Sequence, residues 1–433
     1  MKEKIQVEEV QNLKTENFRL KLALSELSIL NDIATTITST QPVNQIVDKI
    51  VVKCVKHLTV EQGAIMLLDE KDKNNPLHTM IRKHDSSINT LPMKLDAQLT
   101  GWMIYNKKPL LVNDFKKDTP FMITGDITSS YHSLLSVPMI LKGKMLGLIS
   151  VFNKRNNELF TEEDKRLLSI IAAQSAQVIE NARLYEEEKA LISIKEEMRM
   201  ARDIQQNLLP KENPEIQGFQ ISGTSIPARE VGGDYFDFIP LGETCTSFCV
   251  GDITGKGMPA AMLMANLQAT LRAQITVCTD IGKSMVTTNN LLYHSTDSGK
   301  FATLFLGAID VKNSRITYCN AGHDEPLLIG KSGEIIKLST GGMLLGCFPD
   351  QQFTEGTVEL ESGDLLVLYT DGVTEAMNDK EVEFGLERLI ELINSSRSNS
   401  SEEIKDLIIR NVRNHAALTP QSDDITLMVI KKL

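Results

Sequence analysis

Aspartates stand at the ends of predicted strands in four separate parts of the C-terminal half of the sequence. Asp234 follows a Gly-Gly pair, and Asp252 ends an apolar strand just before a Gly-Lys-Gly turn. Asp371 ends a strongly apolar strand, whereas Asp423 and Asp424 directly precede the last strand. A single Asp-Gly step is usually a turn. Four carboxylate positions at strand ends together favour a site for a hard divalent cation, which prefers oxygen ligands.

The elements that must position these carboxylates are mostly strands. Apolar or β-branched runs between turn signals predict strands at 219–227, 246–250, 303–309, 315–320, 364–370 and 425–430. Helices are predicted at 259–277, 386–394 and 402–415. Many antiparallel strands with two or three helices indicate a layered sandwich. Strand ends of such a sandwich hold carboxylates rigidly and leave room for a substrate.

Five segments of this half carry a specific resemblance to a known family. They read REVGGDYFDF at 229–238, GDITGKGMPAA at 251–261, NAGH at 320–323, LYTDGVTEA at 368–376 and SDDITL at 422–427. In this order they resemble the motifs of SpoIIE/RsbU-type phosphatases, which belong to the metal-dependent PPM superfamily. The resemblance implies that residues 213–433 form a PPM-type αββα sandwich that hydrolyses phosphoserine or phosphothreonine.

The same resemblance implies a centre of two Mn²⁺ or Mg²⁺ ions. Asp252 matches the carboxylate that bridges both ions, and the backbone carbonyl of Ile253 matches a ligand of one of them. Asp234 matches the acidic ligand of one ion, while Asp371 and Asp423 match those of the other.

Some neighbouring residues leave parts of this implied site open. Asp424 is the alternative to Asp423 as a ligand, although its position matches one that is often Asn in the family. Arg229 lies where a phosphate-binding arginine would, and an exposed loop arginine is an equally good interpretation. Thr254 stands where eukaryotic PPM enzymes have a histidine that is proposed as the general acid. Protonation of the leaving group is therefore assigned to a metal-bound water. His323 is predicted to shape a turn rather than to act as an acid.

The implied mechanism needs no nucleophilic side chain. Two cations lower the pKa of a bridging water, and the hydroxide attacks phosphorus in line while the ions neutralise the phosphoryl oxygens. The favoured substrate is a phosphoprotein, and the resemblance implies an anti-sigma-factor antagonist. Two alternatives stay open. One is an inactive scaffold of the same fold, which the loss of a metal-binding Asp would mark. The other is a phosphatase for a small molecule, which would need a closed specific pocket.

The N-terminal half reads as one α/β unit at 29–182. A helix at 43–58, a strand at 63–68, a helical segment near 99–105 and a hairpin turned at 142–144 precede a long helix. Thr161 and Asp164 are predicted to cap that helix. The order of elements resembles a GAF domain, which is a sensor module. The resemblance implies either a small-molecule ligand or dimer-mediated signalling.

Part of this unit resembles the signature of cyclic-nucleotide-binding GAF domains. The matching residues are Asn153, Lys154, Phe160 and Asp164. Lys165 stands where that signature has an acid, which disfavours a cyclic nucleotide. Cys54 is the only thiol of the unit and lies in its early helix, which disfavours a covalently bound bilin.

Two helical segments are expected to pair two copies of the chain. Residues 1–28 carry a short a/d seam of Val10, Leu13, Asn17, Leu20, Leu24 and Leu27. The linker at 183–212 has a similar seam that Glu187 and Gln205 interrupt, and Pro210 and Pro214 end it. A continuous helix can transmit rotation or register between domains, unlike a flexible linker. We therefore expect a homodimer with a coiled-coil linker, while packing of each helix on its own domain stays open.

The chain as a whole has 433 residues, enough for two domains and connecting helices. Its net charge of −11 disfavours a nucleic-acid partner, because phosphate binding needs a basic face. The N-terminus lacks the apolar core of a signal peptide, and no run reaches the roughly 18 apolar residues of a membrane span. Six scattered cysteines are typical of thiols in a reducing cytosol. The sequence thus predicts a cytoplasmic, sensor-regulated phosphatase of α/β multidomain architecture.

Overall fold

The computed structural model describes helical residues between 12 and 31, and residues 41–68, 77–83, 97–115, 118, 131–242, 244–278, 280–296 and 299–433. The chain divides into two compact units, Met1–Ser193 and Ile194–Leu433. Val10 of the N-terminal seam lies outside the described residues. Leu13, Leu20, Leu24 and Leu27 of that seam are exposed.

The first unit is built on one antiparallel sheet. Its strands are β1 (Val60–Leu68), β2 (Leu77–Lys83), β3 (Leu110–Val112), β4 (Leu134–Leu141) and β5 (Lys144–Lys154), in the order β2-β1-β5-β4-β3. Its helices are α1 (Val43–Leu58), α2 (Ala97–Asn106) and the first part of α3 (Glu162–Gln206). Helices α1 and α3 bury apolar residues such as Ile50 and Ile171 on one face of the sheet, and α2 buries Met103 on the other.

Local signals in this unit form as the sequence predicts. Lys142 and Gly143 both have positive φ, 49° and 82°, as a two-residue hairpin turn requires. The backbone N–H of Asp164 donates to Thr161 Oγ1 at 3.2 Å, and the Asp164 carboxylate accepts from the N–H of Thr161 at 2.8 Å. This reciprocal pair is a capping box that fixes the start of α3.

The long helix α3 extends over 45 residues and ends at Gln206, a turn earlier than the sequence suggests. Leu208, within the linker predicted at 183–212, therefore lies beyond the helix. Leu184, Leu191 and Ile194 are all more than half exposed along α3. Such a row of exposed apolar residues is unusual for a helix that packs only on its own domain.

The second unit is a sandwich of two sheets. The first sheet contains β7 (Tyr235–Pro240), β8 (Cys245–Ile253), β9 (Ala302–Asp310), β10 (Arg315–Ala321), β13 (Gly341–Gly342) and β14 (Gly356–Glu359), in the order β13-β10-β9-β8-β7 with β14 also on β10. The second contains β6 (Phe219–Ile226), β11 (Leu327–Ile329), β12 (Ile335–Lys337), β15 (Leu365–Tyr369) and β16 (Ile425–Lys432), in the order β12-β11-β15-β16-β6.

Helices cover both outer faces of this sandwich. These helices are α4 (Met258–Val277) and α5 (Ile281–Ser295) on the first sheet, and α7 (Leu386–Ser395) and α8 (Ser401–Ala416) on the second, with a short α6 (Asp371–Thr374) after β15. Alternation along β16 explains the layers, because Met428 packs between the sheets while Val429 packs under the helices. The predicted αββα sandwich is confirmed.

Helix α5 is the main element that the sequence analysis missed. It begins after Asp280, whose carboxylate accepts the N–H of Lys283 at 2.9 Å as an N-cap. Among the described residues, no helix combines the length and apolarity required to span a bilayer.

Candidate metal centre

The strand pairing brings all four predicted acidic positions to one end of the sandwich. In the first sheet, Tyr235 at the start of β7 pairs with Gly251 near the end of β8. In the second sheet, Tyr369 at the end of β15 pairs with Leu427 near the start of β16. Because these pairs are antiparallel, a residue before β7 or β16 lies beside one at the end of β8 or β15.

Asp234 is the most buried of the predicted carboxylate ligands, with 4% of its surface exposed. Its Oδ2 accepts the hydroxyl of Thr370 at 2.9 Å, from the residue just before Asp371. The Thr370 Oγ1 also accepts the N–H of Thr426 at 3.0 Å. A fully buried threonine thus orients Asp234 and links β15 to β16.

Asp252 and Ile253 face the loop that carries Asp234. The pro-Cβ position of Gly233 lies 2.8 Å from the carbonyl oxygen of Ile253 and 3.7 Å from Asp252 Oδ1. A side chain at Gly233 would therefore collide with the carbonyl that the resemblance implies as a ligand. Thr303 on β9 lies against the Asp252 backbone, with its Oγ1 3.3 Å from the Asp252 nitrogen.

Asp371 and Asp423 form the more open side of the site. Asp371 lies two residues after the end of β15 and begins the short helix α6. Asp423 keeps a third of its side chain exposed, and its Oδ2 forms an ion pair with Lys256 Nζ at 2.7 Å. Lys256 comes from the loop between β8 and α4, so the ion pair joins the two sheets at the site.

Asp424 has a different environment from Asp423. It is buried, and its Oδ1 accepts the N–H of Ala228 at 2.7 Å. Its Oδ2 accepts the N–H of Gly233 at 2.6 Å and lies 3.4 Å from the N–H of Asp234. A Cβ at Gly232 would clash with the same Oδ2. Both oxygens of Asp424 thus hold the loop that carries Asp234.

Mutual repulsion and burial perturb these carboxylates. Burial, followed by the charge of Asp252, raises the pKa of Asp234 well above its usual value. Burial and the nearby Asp371 and Asp423 raise the pKa of Asp252 to about 6. Burial and Asp423 also raise the pKa of Asp371. Groups that resist ionisation in this way favour a bound cation, which removes the repulsion.

The donor set fits divalent ions by its chemistry, because it consists of carboxylates and a backbone carbonyl. In the described part of the chain, however, no three Asp, Glu, His or Cys side chains are already drawn together tightly enough to enclose an ion.

The remaining predicted site residues lie near this cluster in supporting positions. Arg229 is exposed on the loop between β6 and β7. Thr254 Oγ1 donates to the carbonyl of Phe301 at 3.0 Å, which gives this residue a structural role. His323 is 5% exposed, its Nδ1 lies 2.9 Å from Thr303 Oγ1, and burial lowers its pKa to about 4. The backbone N–H of His323 donates to Asn320 Oδ1 at 2.7 Å, as expected for a turn.

Sequence reasoning missed three residues that contact the site. Thr370 positions Asp234, although its own place beside Asp371 was plain in the sequence. Lys256 pairs with Asp423, although it lies within the recognised segment at 251–261. Gln205 was read as an interruption of the helical seam. Its Nε2 donates to the carbonyl of Gly232 at 2.7 Å, and its Oε1 accepts the N–H of Gly232 at 3.1 Å. The end of α3 therefore holds the loop of Asp234.

The GAF signature residues of the first unit have structural contacts. Lys154 and Asp164 form a largely buried ion pair at 2.5 Å. Asn153 Oδ1 accepts the N–H of His132 at 2.8 Å. Cys54 is buried, and burial raises the pKa of its thiol to about 12, so the thiol is unsuited to covalent attachment.

Comparison with known proteins identifies the class that this fold and site define. Residues 242–432 match the family described as Stage II sporulation protein E (SpoIIE), and residues 40–180 match the GAF domain family. The solved SiaA-PP2C domain of Pseudomonas aeruginosa covers 56% of this chain and 98% of its own, with a TM-score of 0.50 at 18% identity. The second unit thus has a PP2C-type fold.

Residues 242–432 thus form a SpoIIE-type domain, and residues 40–180 form a GAF domain. Protein IcfG of Synechocystis is 32% identical over 54% of this chain and 41% of its own length. Phosphoserine phosphatase RsbU of Bacillus subtilis is 26% identical over 66% of this chain and 86% of its own. The chain thus spans less than half of the first relative and most of the second.

Proposed function

We propose that this protein is a metal-dependent protein serine/threonine phosphatase. The observation that carries the proposal is the convergence of Asp234, Asp252, Asp371 and Asp423 from four strand ends on one end of the sandwich. A catalytically inactive scaffold of this fold would have no need of such a costly group of repelling carboxylates.

We propose two Mn²⁺ or Mg²⁺ ions as cofactors, with Asp252 shared between them. Asp234 and the Ile253 carbonyl would then bind one ion, and Asp371 and Asp423 would bind the other. The open environment of Asp423 and the three N–H contacts of Asp424 favour Asp423 as the ligand.

When bound, such ions lower the pKa of a water and neutralise the phosphoryl oxygens. The protein's own residues orient the site: Thr370 fixes Asp234, Asp424 fixes the preceding loop, and Thr303 supports the Asp252 backbone. Arg229 is available on the neighbouring loop for a substrate phosphate.

The test is release of phosphate from a phosphoserine protein as Mn²⁺ is added. Asp252→Ala and Asp371→Ala should abolish the Mn²⁺-stimulated rate while the second unit stays folded. Asp310→Ala is the matched control, because Asp310 is a partly exposed strand-end aspartate that accepts the N–H of Lys312 away from the site. Full activity in either site variant would refute the two-metal assignment.

We propose a phosphorylated signalling protein, such as an anti-sigma-factor antagonist, as the substrate. Similarity to RsbU over most of the length of that protein supports this choice. Rates on a phosphorylated antagonist should exceed those on free phosphoserine. The opposite ranking would favour a small-molecule phosphatase.

We also propose that the GAF domain senses a small molecule in the cytoplasm and controls the phosphatase through a dimeric α3. The exposed apolar residues of α3 support pairing with a second copy. All six cysteines are described and unpaired, which agrees with a reducing compartment. Light scattering at micromolar concentration should give the mass of a dimer. A monomer would refute this part of the proposal.

A further inference from the structure

Lys256 is a cation placed directly on a predicted metal ligand. Its Nζ contacts Asp423 Oδ2 at 2.7 Å and donates to the backbone carbonyl of Ser422 at 2.7 Å. Its positive charge also acts on Asp371, the other carboxylate on this side of the site. The ammonium group therefore lies beside the two acids that are proposed to share one ion.

The loop around Lys256 is built to place this side chain and to release it. Gly255 and Gly257 have φ of 98° and 74°, a region that other residues rarely adopt. A Cβ at either glycine would meet no atom within 4 Å, so open space surrounds the loop. Lys256 itself is 41% exposed. Its ammonium can leave Asp423 for solvent without disturbing packed residues.

We propose that Lys256 is a built-in counter-ion that occupies Asp423 in the metal-free protein and must be displaced by the divalent ion. This inference rests on the proposed function, because it assumes that Asp423 is a ligand. The ammonium at 2.7 Å uses a lone pair of Asp423 Oδ2, and its positive charge opposes a divalent ion at the same oxygen. Lys256 therefore lowers the metal affinity of the Asp371–Asp423 side and stabilises the site until an ion arrives.

The test is Mn²⁺ binding to the full-length protein, measured by calorimetry and by the electron paramagnetic resonance signal of unbound Mn²⁺. Lys256→Gln should bind Mn²⁺ about 1.5- to fivefold more tightly, the range expected for removal of a partly exposed ion pair. Lys256→Arg keeps the ion pair and should match the wild type. Lys283→Gln removes an exposed lysine paired with Asp280 at 2.9 Å and is the matched control.

A double variant separates direct competition from a general charge effect. In an Asp423→Asn background, Lys256→Gln should raise the affinity less than it does alone, because only its longer-range charge effect on Asp371 remains to be removed. An equal gain in that background, or a wild-type or weaker affinity in Lys256→Gln alone, would overturn the proposal. A raised KM for substrate with unchanged Mn²⁺ affinity would also overturn it, because Lys256 would then bind the substrate phosphate.

The proposed function can fail separately. Asp252→Asn should weaken Mn²⁺ binding whatever Lys256 does. If it does not, the metal centre itself is wrong. If it does while Lys256→Gln leaves the affinity unchanged, only the counter-ion proposal is refuted.

Discussion

Replacement of Asp424 by asparagine separates the two adjacent aspartates before β16 by their physical roles. In the native protein, both Asp424 oxygens accept backbone N–H groups, from Ala228 at 2.7 Å and Gly233 at 2.6 Å. An asparagine keeps one acceptor oxygen and turns an NH₂ group toward the other N–H. One buried hydrogen bond is lost, and two donors are left facing each other.

The cost follows from the burial of this side chain. A buried donor left without a partner costs about 1–3 kcal/mol. For a unit of the size of Ile194–Leu433, each kcal/mol lowers the unfolding midpoint by about 2–4 °C. Asp424→Asn should therefore lower the midpoint of the metal-free protein by about 2–12 °C. Loss of loop support should also reduce Mn²⁺-dependent activity by about 10–100-fold.

Asp423→Asn should behave in the opposite way. Asp423 loses only a partly exposed ion pair with Lys256, worth no more than about 1 kcal/mol. The midpoint should shift by less than about 4 °C, whereas activity should fall further than in Asp424→Asn because a ligand is removed.

Asp364 offers a matched control for these variants. It is another buried aspartate before a strand, and its two oxygens accept the N–H groups of Lys331 at 3.0 Å and Glu361 at 2.8 Å. It lies at the opposite end of β15 from the site. Asp364→Asn should lower the midpoint similarly but keep the Mn²⁺ dependence. The reasoning fails if Asp424→Asn leaves the midpoint unchanged, or if Asp423→Asn retains more activity than Asp424→Asn.

Two further predictions concern residues around the site. Gln205→Ala removes both hydrogen bonds to Gly232 and should raise the Mn²⁺ concentration for half-maximal activity by up to about tenfold. Gln206→Ala, which changes the exposed neighbour, should leave that concentration unchanged. If both variants need the same Mn²⁺ concentration, Gln205 does not hold the loop of Asp234. Burial lowers the pKa of His323 to about 4 in the folded protein, whereas an unfolded histidine has a pKa of about 6.5. As the pH falls between these values, only the unfolded chain binds the proton, so the folded state loses stability. Between these pH values, the free energy of unfolding of the metal-free wild type should fall by roughly 3 kcal/mol more than that of His323→Asn. If the two free energies change in parallel with pH, the lowered pKa of His323 is contradicted.

The parts of the fold that the sequence predicted depend on local signals. The capping box of Thr161 and Asp164, the turn at Lys142-Gly143 and the apolar strands are all encoded within a few residues. The strand-end aspartates also belong to this group, since each stands beside its own strand. Helix α5 was not predicted, because its sequence, Ile281–Ser295, mixes polar and apolar residues without a clear apolar seam.

The parts that the sequence did not predict depend on distant contacts. Asp424 and Gly233 are 191 positions apart, and Thr370 and Asp234 are 136 apart. No local pattern distinguishes an aspartate that anchors a loop from one that stays open. Gln205 was misread for the same reason, because heptad spacing describes a partner helix and not a loop 27 residues away.

Adjacent aspartates have different partners at this site. Asp423 and Asp424 both precede β16, which begins at Ile425, and their carboxylates contact different loops. Asp424 points toward the 228–234 loop, where three N–H groups are available within 3.4 Å. Asp423 contacts Lys256 instead and lies near the charge of Asp371. Under the proposed function, the anchored Asp424 supplies rigidity and the more exposed Asp423 exchanges Lys256 for a cation, so the two aspartates cannot exchange roles.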